Sequence, residues 1–289
     1  MEGKTYDNNA EAIEAWNTVL FDKFVQYRDI LVTGLGVHGE VAMDRANIEP
    51  GARVLDVGCG FGDTTLTLAR RVGPKGEATG VDGAPRFIEA ATREAAAAEV
   101  PNAKFLVADV QTQSLGGPYD VAFSRMGTMF FASPVAALRN VRKSLVSGGR
   151  LSMAVWRKKE ENPFVAIAEQ RVLQLVTVPA KTDAVTCGPG PFSMGSADVV
   201  SAQLLAAGYE RPTFERFDDE IYIGEDLDAA VGFALTLGPA GEVMRLAGEE
   251  AVKKRPEIVA AVREVLAPLV RPNGVYAMSS SWIVTARAP

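Results

Sequence analysis

The most constraining feature of the sequence is a glycine-rich turn between an apolar run and an amphipathic segment. Residues 54–62 read VLDVGCGFG, so glycine stands at every second position after Asp56. The apolar run predicts a buried β-strand at 53–58, and the segment that follows predicts a helix with Asp63 as its N-cap. A glycine turn between a buried strand and a helix is typical of a parallel sheet with helices on both faces.

Four more apolar runs repeat this pattern, and helical patterns separate them. The five strands are predicted at 53–58, 77–83, 104–110, 119–124 and 149–156. Continuous apolar runs indicate strands that are covered on both faces, as in a parallel sheet. Two later runs, at 212–223 and 275–288, are assigned to the same sheet. The sequence therefore predicts an α/β fold with a doubly wound, mostly parallel, seven-stranded sheet.

Helical segments outside the alternating region are predicted to cap the sheet. An apolar stripe indicates an amphipathic helix at 9–31, followed by a glycine-rich break at 33–40 and a short helix that ends near Ile48. The predicted division is an N-terminal helical cap at 1–48, a ligand-binding core at 49–156, a helical insertion or cap at 157–195, and the C-terminal part of the core sheet at 196–289 with a helical insertion at 225–271.

The second half of the chain is less regular. The patterns predict helices at 162–178 and 196–207, a glycine- and proline-rich loop at 182–195, and two or three helices at 225–268.

Charge and hydropathy exclude two classes of partner. The 289 residues include 30 Lys and Arg against 36 Asp and Glu, a formal net charge of −6. An acidic chain lacks a broad phosphate-binding surface, so no nucleic-acid partner is expected. No apolar run reaches the roughly 18 residues that a membrane span needs, and the first residues lack the pattern of a signal peptide. We therefore expect no membrane span and a cytoplasmic location.

Cysteine and histidine are scarce, with Cys59, Cys187 and His38 as the whole set. This excludes a disulfide scaffold and a Cys/His zinc site, and no metal is expected. A Ser-His-Asp or Cys-His hydrolase would have to use His38, and the G-x-S-x-G motif is absent. Most hydrolytic chemistry is therefore disfavoured.

The turn after Asp56 suits a ligand that carries both charges. Glycine lets a ligand approach the backbone, and the amino end of the next helix stabilises a negative group by about 0.3–1 kcal/mol. Asp56 can receive a cation. An amino acid meets both demands, whereas the dinucleotide fingerprint G-x-G-x-x-G would need glycine where Asp63 stands. The alternative is a turn that serves close packing alone.

Two further acids lie at the ends of the next two predicted strands. Asp82, followed by Gly83, is spaced to accept both hydroxyls of a ribose, or else to cap the helix that Pro85 opens. The Asp109 carboxylate can accept an adenine amino hydrogen while the backbone N–H of Val110 donates to the ring. For Asp109 the alternative is an aspartate that forms a turn.

Together these motifs resemble the class I S-adenosylmethionine (SAM)-dependent methyltransferases, in a small-molecule branch similar to UbiE-type enzymes. The resemblance covers about residues 50–156 well and the C-terminal part loosely. It implies a Rossmann-like sheet with helical cap segments, SAM as cofactor and S-adenosylhomocysteine (SAH) as product. The S-G-G-R turn at 147–150 differs from the family's usual P-G-G-x turn in having Ser147 in place of proline.

The resemblance also implies which residues bind the cofactor. In the family the glycine turn holds the methionine moiety, the acid after strand two holds the ribose, the pair after strand three reads adenine, and the end of strand four passes under the sulfonium. The implied cofactor-binding residues are Asp56, Gly58, Cys59, Gly60, Asp82, Gly83, Asp109, Val110 and Ser124.

The acceptor side is less specified. Residues 124–127 read S-R-M-G in place of the (N/D)-P-P-(Y/F) loop that clamps planar amines, so nucleobases and protein amides are rejected as acceptors. Arg125 is a candidate for binding a substrate carboxylate or phosphate, or for pairing with an acid of the cap. Met126, Met129 and Phe192 are candidates for an apolar substrate wall, or for ordinary helix-to-sheet packing.

His38 is a candidate general base or polar contact in a glycine-flanked loop, and an ordinary surface or capping histidine is the alternative. The expected function is methyl transfer to an oxygen, carbon or nitrogen atom of a small, partly apolar metabolite. Two alternatives stay open: a SAM-binding enzyme of the same fold with a different reaction, and a non-catalytic methyltransferase-like partner protein. The sequence leaves a homodimer open.

Overall fold

The computed structural model describes residues 9–179 and 188–289, and in these ranges eight strands form one sheet. They are β1 (Arg53–Val57), β2 (Glu77–Asp82), β3 (Ala103–Val107), β4 (Tyr119–Arg125), β5 (Leu145–Trp156), β6 (Glu210–Gly224), β7 (Val270–Arg271) and β8 (Gly274–Arg287). Their order across the sheet is β3-β2-β1-β4-β5-β8-β6, and β7 pairs with β8.

The first five strands pair in parallel, and β8 runs antiparallel to both β5 and β6. This confirms the predicted α/β class and the doubly wound, mostly parallel sheet. The two late strands lie in the same sheet, as the sequence predicts. The patterns do not predict β7, because two residues are too few for a periodic signal.

Helices connect the parallel strands and extend beyond them at both ends of the chain. They are α1 (Ala10–Ala15), α2 (Phe21–Gln26), α3 (Arg28–Ala46), α4 (Asp63–Val72), α5 (Pro85–Ala97), α6 (Pro134–Lys143), α7 (Pro163–Leu173), α8 (Ala197–Ala207), α9 (Leu227–Thr236), α10 (Pro239–Ala247), α11 (Glu249–Lys253) and α12 (Arg255–Leu266). A π-helical turn, Trp16–Leu20, joins α1 to α2. Within 9–179 and 188–289 no helix has the length and hydropathy to cross a membrane.

The predicted break at 33–40 is wrong, because α3 continues through it. Its glycines are contact points. A Cβ atom at Gly34 would lie 2.5 Å from the carbonyl oxygen of Tyr222 in β6, and one at Gly39 would lie 2.8 Å from Cδ of Arg125 in β4. Glycine therefore lets α3 pack closely on the sheet, although it lowers helix propensity.

Two helical predictions need smaller corrections. Within 225–268 the structure contains four helices where two or three are predicted, because Gly238 (φ 80°) and Gly248 (φ 54°) take backbone conformations that end a helix. The helix predicted at 162–178 ends at Leu173. Of the loop predicted at 182–195, residues 182–187, which include Cys187, lie outside the described residues. The division into cap, core and insertion stays a prediction.

The contact of Gly34 gives a test of how α3 is held. We expect Gly34→Ala to lower the free energy of unfolding by about 1–3 kcal/mol, because the new methyl group must displace the Tyr222 carbonyl. Gly36 in the same helix is the matched control, since a Cβ there meets no atom within 4 Å. Gly36→Ala should raise the free energy of unfolding by about 0.5–1 kcal/mol. Urea unfolding of both variants measures the two effects, and equal signs would contradict this packing.

Candidate functional site

The carboxyl ends of β1, β2 and β4 meet around the glycine turn. The backbone N–H groups of Gly58 and Cys59 both donate to the carbonyl of Val81 in β2, at 2.8 and 3.0 Å. A Cβ atom at Gly58, where φ is 71°, would lie 3.0 Å from Cα of Gly127, just after β4. Backbone thus lies directly against backbone here. This leaves a surface that a flat or extended ligand can approach without meeting side chains.

Asp56, at the end of β1, is buried with only 1% of its surface exposed. One carboxylate oxygen, Oδ2, accepts hydrogen bonds from the hydroxyls of Thr64 and Thr65, each at 2.6 Å. The other, Oδ1, is buried and has no hydrogen-bond partner among the described residues. Burial raises the pKa of Asp56 to about 6, although the two threonine hydroxyls and Arg125 oppose the shift. A buried acceptor without a donor suits a ligand that brings a cation or an N–H group.

Asp82 holds the turns after β1 and β2 together. Its Oδ1 accepts from the backbone N–H of Ala84 at 2.9 Å, and its Oδ2 accepts from that of Gly60 at 3.1 Å. Burial raises the pKa of Asp82, and the backbone donors counter part of the rise. The predicted capping role is wrong, because the N-cap of α5 is Ala84 and not Asp82; Asp82 instead bonds to backbone of the two turns. Because each carboxylate oxygen has two lone pairs, Asp82 keeps the capacity to accept further hydrogen bonds.

Strand β3 ends at Val107, so Asp109 lies in the turn that follows it and not at the end of the strand, where the sequence places it. Its Oδ1 accepts from the backbone N–H of Gln111 at 2.9 Å, and its Oδ2 accepts from the hydroxyl of Thr112 at 3.1 Å. The turn-forming arrangement is therefore observed. Val110 is buried beside it. A role for this pair in adenine binding stays a prediction.

Cys59 and Ser124 support the turn with buried side chains. The sulfur of Cys59 packs on Gly80, where a Cβ atom would lie 2.9 Å away, and burial raises the pKa of its thiol. The hydroxyl of Ser124 donates to the carbonyl of Val57 at 2.7 Å and so ties β4 to the end of β1. The structure adds Thr64, Thr65 and Gly127 to the site, three residues that the sequence analysis does not name. The two threonines could have been found from the sequence, because they lie in the first turn of the helix that follows the glycines.

Helices α1 and α2 cover the mouth of this crevice. Asn9, just before α1, donates to Asp109 at 3.3 Å, and a Cβ atom at Gly83 would lie 3.2 Å from the side chain of Ile13. Aromatic rings continue the cover, and the ring of Phe21 in α2 lies 4.9 Å from that of Phe87 and 5.9 Å from that of Phe61 in the glycine turn. The N-terminal helices therefore lie across the ends of β2 and β3.

Comparison with known proteins identifies the family. Residues 48–193 match the family described as a methyltransferase domain. The chain belongs to this family. The matched range begins just before β1 and contains the glycine turn and the two acids after β2 and β3, so the methyltransferase resemblance drawn from those motifs is confirmed.

Three sequence relatives share part of this methyltransferase chain. An uncharacterised 37.1 kDa protein in transposon TN4556 of Streptomyces fradiae is 33% identical over 45% of this chain and 38% of its own length. The aklanonic acid methyltransferase DauC of Streptomyces sp. strain C5 is 32% identical over 39% of this chain and 52% of its own. Nocamycin O-methyltransferase of Saccharothrix syringae is 29% identical over 66% and 71%. The chain thus spans about half or less of the length of the first two.

Solved structures share the fold at low sequence identity. The YcgJ protein of Bacillus subtilis has a TM-score of 0.57 and 16% identity, covering 87% of this chain and 98% of that one. The phosphoethanolamine N-methyltransferase 2 of Haemonchus contortus, solved with phosphomonomethylethanolamine and SAH, has a TM-score of 0.58 and 11% identity, covering 96% of this chain and 59% of that one. The [4+2]-cyclase SpnF has a TM-score of 0.51 and 19% identity, covering 88% of this chain and 81% of that one. These likenesses confirm the Rossmann-like fold.

On the acceptor side of the methyltransferase domain, the predicted wall residues lie mostly in the core. Met129 is buried, and its sulfur accepts from the backbone N–H of Trp156 at 3.2 Å. Phe192 is half-buried and packs against the same core. Met126 is buried with a φ of 58°, a left-handed conformation that a non-glycine residue adopts only where its surroundings hold it. Packing, the alternative given for these residues, is observed, and contact with an acceptor stays a prediction.

His38 lies neither in a loop nor at the surface, because it is fully buried within α3. Its Nδ1 lies 2.7 Å from the hydroxyl of Ser281, and its Nε2 lies 2.8 Å from that of Ser279. Ser279 donates its own proton to the carbonyl of Asp219, so it accepts from Nε2–H, and Ser281 donates to Nδ1.

The environment of His38 opposes protonation. Burial lowers its pKa to about 4, against a smaller opposing effect of Asp219 and Asp218. The ring is further enclosed by Trp156 and Phe217, with ring centres at 5.0 and 5.2 Å. The geometry thus favours a neutral imidazole that joins α3 to β8. Its predicted role as a general base stays a prediction.

The raised pKa of Asp56 predicts a pH effect on stability. Its protonated form stabilises the ligand-free protein below about pH 4, and this contribution is lost as the pH rises through 6. Asp56→Asn stays neutral throughout. Between pH 4 and pH 7.5 the wild-type protein should therefore lose about 2 kcal/mol of unfolding free energy relative to this variant. Urea unfolding of both proteins at several pH values checks this. Other titrating groups, His38 included, are common to both, and a constant difference would contradict the assignment.

Proposed function

We propose that this protein transfers the methyl group of SAM to an oxygen, carbon or nitrogen atom of a small, partly apolar metabolite. The observation that carries the proposal is the free, buried Oδ1 of Asp56 beside a turn in which Gly58 and Gly127 leave only backbone. A cationic ligand with an extended body suits that combination. Family membership and the SAH-containing structural neighbour support SAM as that ligand.

The residues present fit the parts of SAM. Asp56 offers an acceptor for the ammonium group, and the glycine turn, through Gly58 and Gly60, offers room for the methionine chain. Asp82 retains lone pairs for the ribose hydroxyls, and Asp109 with Val110 lies where adenine would follow, beneath Asn9. In this assignment Cys59 and Ser124 act through the backbone that they position.

SAM, when bound, supplies a methyl group on a positively charged sulfur. A lone pair of the acceptor forms the new bond to the methyl carbon as the carbon–sulfur bond breaks and its electrons return to sulfur, which leaves SAH. The acceptor's proton is lost to solvent or to a base. The chain's main contribution is to align the acceptor and exclude water, and positioning of this kind reaches effective molarities of about 10⁵–10⁸ M.

The acceptor class rests on the relatives and on the surroundings of the site. Aklanonic acid methyltransferase and nocamycin O-methyltransferase act, by their names, on small molecules. Within the described residues no group of three His, Cys, Asp or Glu side chains is arranged to hold a metal ion, and the proposal needs none. Nucleic acid stays outside the proposal because of the net charge of −6.

Cofactor binding is testable at Asp82. Asp82→Asn should weaken SAH binding about 10- to 100-fold, because an amide replaces a charged acceptor for the ribose hydroxyls. Isothermal titration calorimetry measures the dissociation constant, and circular dichroism confirms folding. Asp120→Asn is the matched control: this acid lies at the amino end of β4, where it accepts from the backbone N–H of Arg53 at 2.7 Å. Equal affinity in wild type, control and Asp82→Asn would remove the cofactor assignment.

The likeness to a [4+2]-cyclase favours one alternative, a reaction on this fold without methyl transfer. Production of SAH during turnover separates the two, since a methyl transfer forms one SAH for each product. A non-catalytic partner protein is separated by cofactor binding, because such a protein has no need for an adenosyl ligand.

We further propose that α1 and α2 open and close over the bound cofactor. Asn9 and Ile13 contact the residues that the proposal places beside adenine and ribose. Saturating SAH should therefore increase amide hydrogen-exchange protection in residues 9–31 and in 188–195. Helix α12, which packs on α7 and α9, serves as an internal control whose protection should not change. Unchanged exchange in 9–31 would count against a closing cover.

A further inference from the structure

A small cleft lies beside the glycine turn, between α3 and α4. It has a volume of about 190 Å³. Its lining includes Gly36, Gly39 and Met43 from α3, Asp63 and Thr64 from α4, and Arg125 from the end of β4. The sequence motifs predict a negative group near the amino end of α4, but they give Arg125 no part in binding it.

Arg125 provides the cleft with a fixed cation. The side chain of Arg125 is only 12% exposed. It packs against Gly39 of α3, where a Cβ atom would lie 2.8 Å from Cδ of the arginine. One guanidinium nitrogen then pairs with Oδ2 of Asp63 at 2.7 Å. A guanidinium has five N–H donors, so this pair leaves donors for a second carboxylate. Asp63, predicted as an N-cap, is instead the first residue of α4 after the N-cap Gly62, and its carboxylate orients Arg125.

Thr64 connects the cleft to Asp56, the proposed acceptor of the ligand's ammonium group. This residue lines the cleft and donates its hydroxyl to Asp56, whose other oxygen is free. Asp63 and Thr64, which line the cleft, lie in the first turn of α4, where backbone N–H groups have no partner within the helix and favour a negative group. A carboxylate in the cleft and an ammonium at Asp56 would therefore be a short distance apart, as they are in an amino acid.

The charges of the cleft favour a zwitterion over an isolated anion. Arg125 pairs with Asp63, and Glu40, which also lines the cleft, pairs with Arg71 of α4. Because Asp63 already balances the charge of Arg125, a phosphate or other multiply charged anion would lack a matching excess of positive charge. A ligand that carries its own ammonium group toward Asp56 brings the balancing charge with it.

We propose that Arg125 binds the carboxylate of the cofactor's amino-acid moiety in this cleft, with Asp63 as the residue that positions the guanidinium. The inference rests on the proposed function. It assigns Arg125 to the cofactor, whereas the sequence suggests an anionic acceptor or a cap acid as its partner.

The test compares two ligands that differ only in the carboxylate, SAH and its decarboxylated analogue S-adenosylthiopropylamine. Calorimetry on the wild-type protein should show SAH binding about 10- to 100-fold more tightly. In Arg125→Gln this preference should fall to within about twofold, because SAH loses affinity and the analogue does not. Arg125→Lys keeps the charge without the planar fork and should retain part of the preference.

Arg71→Gln is the matched control. Arg71 also joins α4 to α3, through Glu40 and Asp44, so its loss reports on docking of the two helices alone. The control should keep the full preference for SAH. A preference that survives in Arg125→Gln, or a wild-type protein that binds both ligands equally, would overturn the inference and leave the proposed function standing. Failure of the wild-type protein to bind either ligand would overturn both.

Discussion

The site depends on a carboxylate kept away from water at the end of the first strand. Asp56 is held by two threonine hydroxyls from the first turn of α4, and those bonds fix the angle at which the helix leaves the glycine turn. Burying this charge with one oxygen unpaired is unfavourable, as its raised pKa reflects. The structure therefore accepts a local loss of stability at the point where a cationic ligand would regain it.

The parallel half of the fold could be predicted from the sequence because its signals are local. Each of the first strands is a short apolar run, and Pro85 and Pro134 mark the helices between them. The glycine turn and Asp82 were likewise found from adjacent residues. For Asp109 the neighbouring residues predict a turn, which the structure contains after the end of β3, but they do not establish a contact with a ligand.

The remaining features depend on residues that are far apart in the chain. Glycines at 34 and 39 look like a break because local propensity is all that a single sequence shows, and only the contacts with Tyr222 and Arg125 explain them. The same holds for His38, whose serine partners lie in the last strand. The pairing of Asp63 with Arg125 joins a helix start to a strand end, so neither residue alone reveals it.

The close packing of α3 has a consequence for where the methyltransferase domain can be cut. The helix contacts β4 through Gly39, β6 through Gly34 and β8 through His38, so it spans both halves of the sheet. A fragment trimmed to the matched range 48–193 would lose α3 together with β6 and β8. Arg125 would then stand in open solvent, and β5 would become a bare sheet edge prone to self-association.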